Sequence, residues 1–127
     1  QRVYHHTAPI NMVYALYQAL YDIIQEGVDN VFEKHQNMHE YLLIKLNELN
    51  LELLVEKQYR LPMLNAIKIP EGVSDIDVRS CLLKDYNIEI GGGLGDLAGQ
   101  VWRVGLMGYT AKKENVDRLF SALSSIL

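Results

Sequence analysis

The sequence predicts an α+β fold: one small, mostly antiparallel sheet covered by helices. Two observations carry this expectation. Apolar residues recur at steps of three and four in the first two long segments and in the last, which is the period of an amphipathic helix. Between them lie short aliphatic runs bounded by turn formers such as Pro70 and Gly72, with the length of strands. The elements follow the order ααββαββα, and helices interleaved with short strand pairs build one sheet with helices laid on it.

Each element has a reason. From Pro9 the residues Val13, Leu16, Tyr17, Leu20, Ile23 and Ile24 make one apolar stripe, with Tyr14, Tyr17 and Tyr21 as an aromatic ridge, until Gly27 stops the helix. A second, longer helix follows almost without a loop, placing Val31, His35, Met38, Leu42, Leu46 and Leu49 on one face. LELLVEK and LPMLNAIKIP read as two strands separated by QYR. Ser74, with Asp77 three places on, has the spacing of a reciprocal helix cap, and Val78, Cys81 and Leu82 supply that helix's apolar face. IEI reads as a short strand, GGGLGDLAGQ as a glycine-rich loop and VWRVGLM as a strand with alternating faces. Thr110 is positioned to cap a last helix carrying Val116, Leu119, Phe120, Leu123 and Leu127.

The totals exclude several classes of function. With 127 residues, 49% of them apolar, the chain can bury a core of its own, so disorder is not expected. A formal charge of −4, with basic residues scattered among acids, leaves no basic face for nucleic acid. No apolar run approaches the roughly 20 residues that cross a bilayer, and no signal-peptide pattern is present. The single cysteine, Cys81, cannot form an internal disulfide and suits a reducing, intracellular compartment. The lack of an initiating Met at Gln1 is read as the mark of a piece of a longer protein.

Four constellations invite chemistry. Gly93-Leu94-Gly95-Asp96-Leu97-Ala98 satisfies a dinucleotide-binding fingerprint by letter, but strand rather than helix follows it, so the pyrophosphate site that gives the fingerprint its meaning is not built. The four histidines suggest a metal, with His35 and His39 one turn apart. Zinc needs three or four converging ligands, however, and adjacent His5 and His6 on an extended segment point to opposite sides, so no metal is expected. Arg103 is the sharper oddity. Trp102, Val104 and Leu106 share one strand face, and Val101, Arg103, Gly105 and Met107 share the other. A guanidinium therefore emerges mid-strand beside a residue without a side chain. Its fixed donors suit a carboxylate or phosphate, or else an internal ion pair. At the start of the chain, Tyr4, His5, His6 and Thr7 crowd against Pro9. A metal site, simple capping by Thr7 and a helix start that holds an anion are the open readings.

YHHTAP leading into a helix, RLP before a strand, IEIGGGLG, VWRVGLMG and ENVDRLFSAL together resemble the C-terminal third of the alanine–glyoxylate and serine–pyruvate aminotransferases. These are class V, fold-type I enzymes dependent on pyridoxal phosphate, and they include the insect 3-hydroxykynurenine transaminases. The resemblance runs over nearly the whole chain. It implies that Tyr4 and Thr7 reach the cofactor phosphate of the other subunit of a homodimer, and that Arg103 clamps the substrate α-carboxylate. It also implies that residues 1–27 belong to a large cofactor-binding domain and residues 28–127 form the small C-terminal domain. The implied activity moves an amino group from alanine or serine to glyoxylate or pyruvate, with hydroxykynurenine use or a non-catalytic anion-binding domain as alternatives. The cofactor-bearing lysine of the family lies upstream, so no catalytic residue is expected here and the fragment alone is expected to be inactive. Asp96 stands where the family pattern has proline.

Overall fold

A computed structural model of the chain describes Val3 and residues 5–127. It divides into two compact units, Gln1–Glu33 and Lys34–Leu127.

The first unit contains helix α1 (Ile10–Glu26) and the opening turn of α2 (Val28–Glu48). Gly27 separates them with φ of 87°, a value that glycine adopts without steric cost, and its N–H closes α1 on the Ile23 carbonyl at 3.0 Å. No residue of α1 is buried within this unit, and the predicted stripe with its tyrosine ridge is solvent-facing there.

The second unit is the predicted α+β sandwich. Its three-stranded antiparallel sheet has the order β1 (Leu64–Lys68), β3 (Val101–Gly105), β2 (Gly91–Gly92). Asn65 pairs with Val104 and Ile67 with Trp102, while Gly91 and Gly92 pair with Arg103 and Trp102. Asn65, Ile67, Trp102 and Val104 are buried together with Leu42 and Leu46 of α2, Val78 and Leu82 of α3 (Asp75–Tyr86), and Val116, Leu119, Ala122 and Leu123 of α4 (Lys113–Ile126). The 3.6-residue period of α2 and the two-residue period of β3 thus point their apolar residues into one core. Ser74 caps α3 by accepting the Asp77 N–H at 3.3 Å, and Asn87, in the left-handed region at φ 53°, ends it.

Several expected elements differ, each for a local reason. LELLVEK alternates correctly in burial, with Leu51 and Leu53 in the core, but joins the sheet only at a single bridge from Leu53 to Ile67. The chain then bends away and turns as a 3-10 helix over Lys57–Tyr59, which ends the ladder after two bonds, Lys68 N–H to Glu52 and Leu54 N–H to Ala66. Ladder pairing expected over IEI begins instead at Gly91. Residues 88–90 form no ladder with residues 104–106, and both stretches help to line a cavity of about 280 Å³, whereas the side-chain-free Gly91 and Gly92 pair with β3. Thr110 does not cap α4. Its hydroxyl accepts the Met107 N–H and donates to the Met107 carbonyl, tightening the turn Gly108–Thr110, and the helix starts only after Lys112. Cys81 is only half-buried and donates to Asp85 at 3.2 Å instead of joining the core.

Two histidines sit in the core wall for reasons of hydrogen bonding. His35 accepts the Gly108 N–H on Nε2 at 2.9 Å. Asn65 donates through Nδ2 to the carbonyls of Pro62 and Val104, which turns its oxygen toward His39 Nδ1, 2.7 Å away. That oxygen can only accept, so the imidazole donates. Replacing Asn65 by Ala strands a buried N–H on His39, and a buried polar group left unsatisfied costs about 1–3 kcal/mol. Urea unfolding of Asn65→Ala should register a loss of at least that size.

Candidate substrate and cofactor site

Arg103 lies at the centre of β3, between Ala66 of β1 and Gly91 of β2. Its side chain is half-buried and turns toward β2, where Nε–H donates to the Gly92 carbonyl at 2.6 Å. The guanidinium lies flat against Gly91. A Cβ placed there would stand 3.2 Å from Nη2, 3.3 Å from Nε and 3.4 Å from Cζ. Glycine at 91 is therefore the floor on which the arginine rests. Among the described residues Arg103 makes no ion pair, so its terminal nitrogens keep their donors for another group.

The glycine-rich segment is a set of tight turns. Gly93 approaches the Leu97 carbonyl so closely that a Cβ would overlap it at 1.8 Å. Leu97 N–H bonds to Leu94, Ala98 N–H to Gly95, and the Gln100 amide to the Asp96 carbonyl at 2.6 Å. Asp96 sits in the 3-10 turn Gly95–Leu97, exposed. Strand β3 follows, so the letters of the dinucleotide fingerprint do not open a helix.

Behind β2 stands a second guanidinium that the sequence reading did not single out. Arg79 of α3 pairs with Asp75 through Nε to Oδ1 at 2.8 Å and Nη2 to Oδ2 at 2.9 Å, and it packs 3.3 Å from the Cβ position of Gly92. The available signal was the i, i+4 spacing of Asp75 and Arg79, which places opposite charges on one helix face. The Arg79 hydrogen bonds hold the Asp75 carboxyl below its ordinary range, while burial opposes this and the Trp102 indole N–H assists. Among the described residues that indole N–H has no hydrogen-bond partner at bonding distance, so it assists as a dipole across a longer gap. Because the folded pKa lies below the unfolded value of about 3.9, the pair contributes stability above about pH 4 that is lost as pH falls through the folded value. Denaturant titrations below pH 4 should show a steeper loss for the parent protein than for Asp75→Asn. Equal slopes would mean that Asp75 is not held ionised by its partner.

In the first unit, Thr7 is exposed, and the N-cap position of α1 falls on Pro9. Pro9 occupies the N-cap with φ −75° and ψ 70°, and Thr7 stands two residues ahead of it. Tyr4 lies outside the described residues. His5 and His6, expected on opposite sides, instead bring their rings together at 4.1 Å between centroids. Among the described residues no group of three or more His, Cys, Asp or Glu side chains is arranged to hold a metal, and no helix is long and apolar enough to cross a membrane.

This sheet-and-helix arrangement matches the C-terminal domain of class V, pyridoxal-phosphate-dependent aminotransferases. No family model matches the chain. Within that class, the chain is homologous to the C-terminal part of the alanine–glyoxylate and ureidoglycine–glyoxylate aminotransferases. It is 34% identical over its full length to (S)-ureidoglycine–glyoxylate transaminase of Bacillus subtilis (strain 168), covering 30% of that protein. It is 38% identical over 99% of its length to alanine–glyoxylate aminotransferase of Felis catus, covering 31% of it. The crystal structure of alanine–glyoxylate aminotransferase from Nostoc sp. superposes with a TM-score of 0.91 at 55% identity, over 98% of this chain and 33% of that one. The chain thus spans about a third of the length of these relatives.

Proposed function

We propose that this chain is the C-terminal part of an aminotransferase that moves an amino group from a small amino acid, alanine or serine, to a 2-oxo acid, glyoxylate or pyruvate. The observation that carries the reading is the state of Arg103: a half-buried guanidinium, fixed at one edge by the Gly92 carbonyl, with no ion pair among the described residues. Such a group grips a carboxylate through two parallel N–H bonds. Fixing the acid end of an amino acid sets the direction of its Cα–H bond, which is the positioning that transamination requires.

The cofactor of the family is pyridoxal phosphate, which supplies the electron withdrawal from the substrate's α-carbon when bound. The donors of the first unit suit a phosphate group: Thr7 is exposed and stands two residues ahead of Pro9, the N-cap of α1, whose first-turn N–H groups and positive helix end favour an anion. In this reading Thr7 and Tyr4 hold the phosphate of the cofactor in the partner subunit of a homodimer. Residues 1–27 belong to the large domain, and residues 28–127 form the small one. Charge-assisted bonds contribute roughly 1.5–3 kcal/mol each. In the full-length enzyme, Arg103→Ala loses both bonds to the carboxylate and should therefore raise the apparent KM for the amino acid at least about 100-fold and lower kcat/KM in step. Steady-state kinetics with saturating cofactor checks this, and an unchanged KM removes Arg103 from the site.

A further inference from the structure

We infer that Arg79 is a positioning residue for Arg103, acting through the backbone of Gly92; the inference rests on the reading of Arg103 as the carboxylate grip. The orientation of the Arg103 guanidinium depends on the bond from Nε–H to the Gly92 carbonyl and on the flat contact with Gly91. Both anchors belong to β2, a strand of two residues at the edge of the sheet, paired on one side only. A strand so short, with no side chains of its own to pack, has little to hold it in place.

The structure supplies a backing. Successive residues of a strand face opposite ways, so Gly91 meets Arg103 on one face and Gly92 meets Arg79 on the other, each at 3.2–3.4 Å from the Cβ position. Arg79 is itself fixed. Its two bonds to Asp75 lock the plane of the guanidinium, and Asp75 is the first residue of α3, whose N-terminus Ser74 caps. The chain of contact runs from a capped helix to Asp75, to Arg79, to the Gly92 peptide and on to Arg103. A planar group is required at the Gly92 contact, because the rounder, mobile ammonium of a lysine can satisfy Asp75 without presenting a flat surface to the peptide.

Kinetics of the full-length enzyme and exchange of the Arg103 Nε proton, followed by NMR, test this separately from the function. Arg79→Ala and Arg79→Lys should both raise the amino-acid KM about threefold to tenfold, with kcat at saturation held within about twofold. In an Arg103→Ala background the same changes should alter KM less than about twofold, because residues acting through one another are not additive. Exchange of the Arg103 Nε proton should quicken at least about tenfold in Arg79→Ala, as expected when the bond that protects it opens. Equal KM factors in both backgrounds, full retention of the parent KM by Arg79→Lys, or unchanged Nε exchange would each overturn the inference. An unchanged KM in Arg103→Ala alone would overturn the function instead, and the exchange measurement would still decide whether Arg79 holds Arg103 in place.

Discussion

Trp102→Ala is expected to remove most of the stability of the second unit. Trp102 is fully buried in β3, the central strand of the sheet, paired with Ile67 on one side and Gly92 on the other, and it is among the largest of the fully buried side chains. Core truncations of this size cost about 3–5 kcal/mol, the transfer term plus the cavity left by incomplete collapse. That is a large share of the roughly 5–15 kcal/mol by which domains are stable. Each kcal/mol shifts Tm by about 4–8 °C in a domain of this size, so a fall of at least about 12 °C should be visible by far-ultraviolet circular dichroism. Tryptophan fluorescence cannot follow it, since the substitution removes the only tryptophan. Trp102→Phe provides the contrast. It keeps an aromatic ring in the core and deletes the indole N–H, which lacks a partner at bonding distance among the described residues, so a buried unsatisfied donor disappears with the lost volume. Its cost should be less than half that of the alanine variant. A phenylalanine variant as damaged as the alanine one would show that the indole N–H does more for Asp75 than a distant dipole.

The parts of this fold that could be read from the residues are those decided within one element. The stripe His35, Leu42, Leu46 follows from helical period alone, and each of these residues is buried. The alternation of Trp102 and Val104 against Arg103 follows from the strand period, and the register with β1 preserves it. Ser74 caps α3 because the cap needs only residues three apart. What could not be read is where pairing stops. LELLVEK and IEI have strand composition, but ladder length depends on how far a neighbouring strand stays parallel to them, which no local pattern encodes. Thr110 shows the same limit on a smaller scale, because a threonine hydroxyl serves a helix start or a turn equally well and the turn over Gly108–Thr110 captured it. The strand face that carries Arg103 was legible, but not the direction of its guanidinium: it rests on Gly91 of the neighbouring strand rather than beside Gly105 of its own. The second guanidinium was not, because Arg79 and Gly92 lie 13 positions apart in the chain and meet only once α3 is set beside β2.

Gly93→Ala should disrupt the segment that joins β2 to β3 more than any other alanine substitution at its glycines. The obstacle is backbone. A Cβ at position 93 would stand 1.8 Å from the Leu97 carbonyl oxygen, 2.5 Å from its carbon and 3.1 Å from the Ala98 nitrogen. No side-chain rotation relieves a clash of that kind, so the loop must open, and opening it strains the bonds from Leu97 N–H to Leu94 and from Ala98 N–H to Gly95. Overpacking typically costs about 1–3 kcal/mol, occasionally more, and a rigid backbone obstacle belongs at the upper end. The consequence extends to the site, because Gly93 directly follows the peptide whose carbonyl holds Arg103. Gly95→Ala separates space from conformation in the same loop. Gly95 has φ of 55° with nothing within 4 Å of its Cβ position, so alanine there meets only the left-handed penalty of about 1–2 kcal/mol. Urea midpoints should therefore rank the parent above Gly95→Ala and Gly95→Ala above Gly93→Ala, with faster exchange of the Arg103 Nε proton in Gly93→Ala alone. The reverse ranking would mean that the Leu97 carbonyl does not close over Gly93, and that the peptide holding Arg103 is not fixed by the turn that follows it.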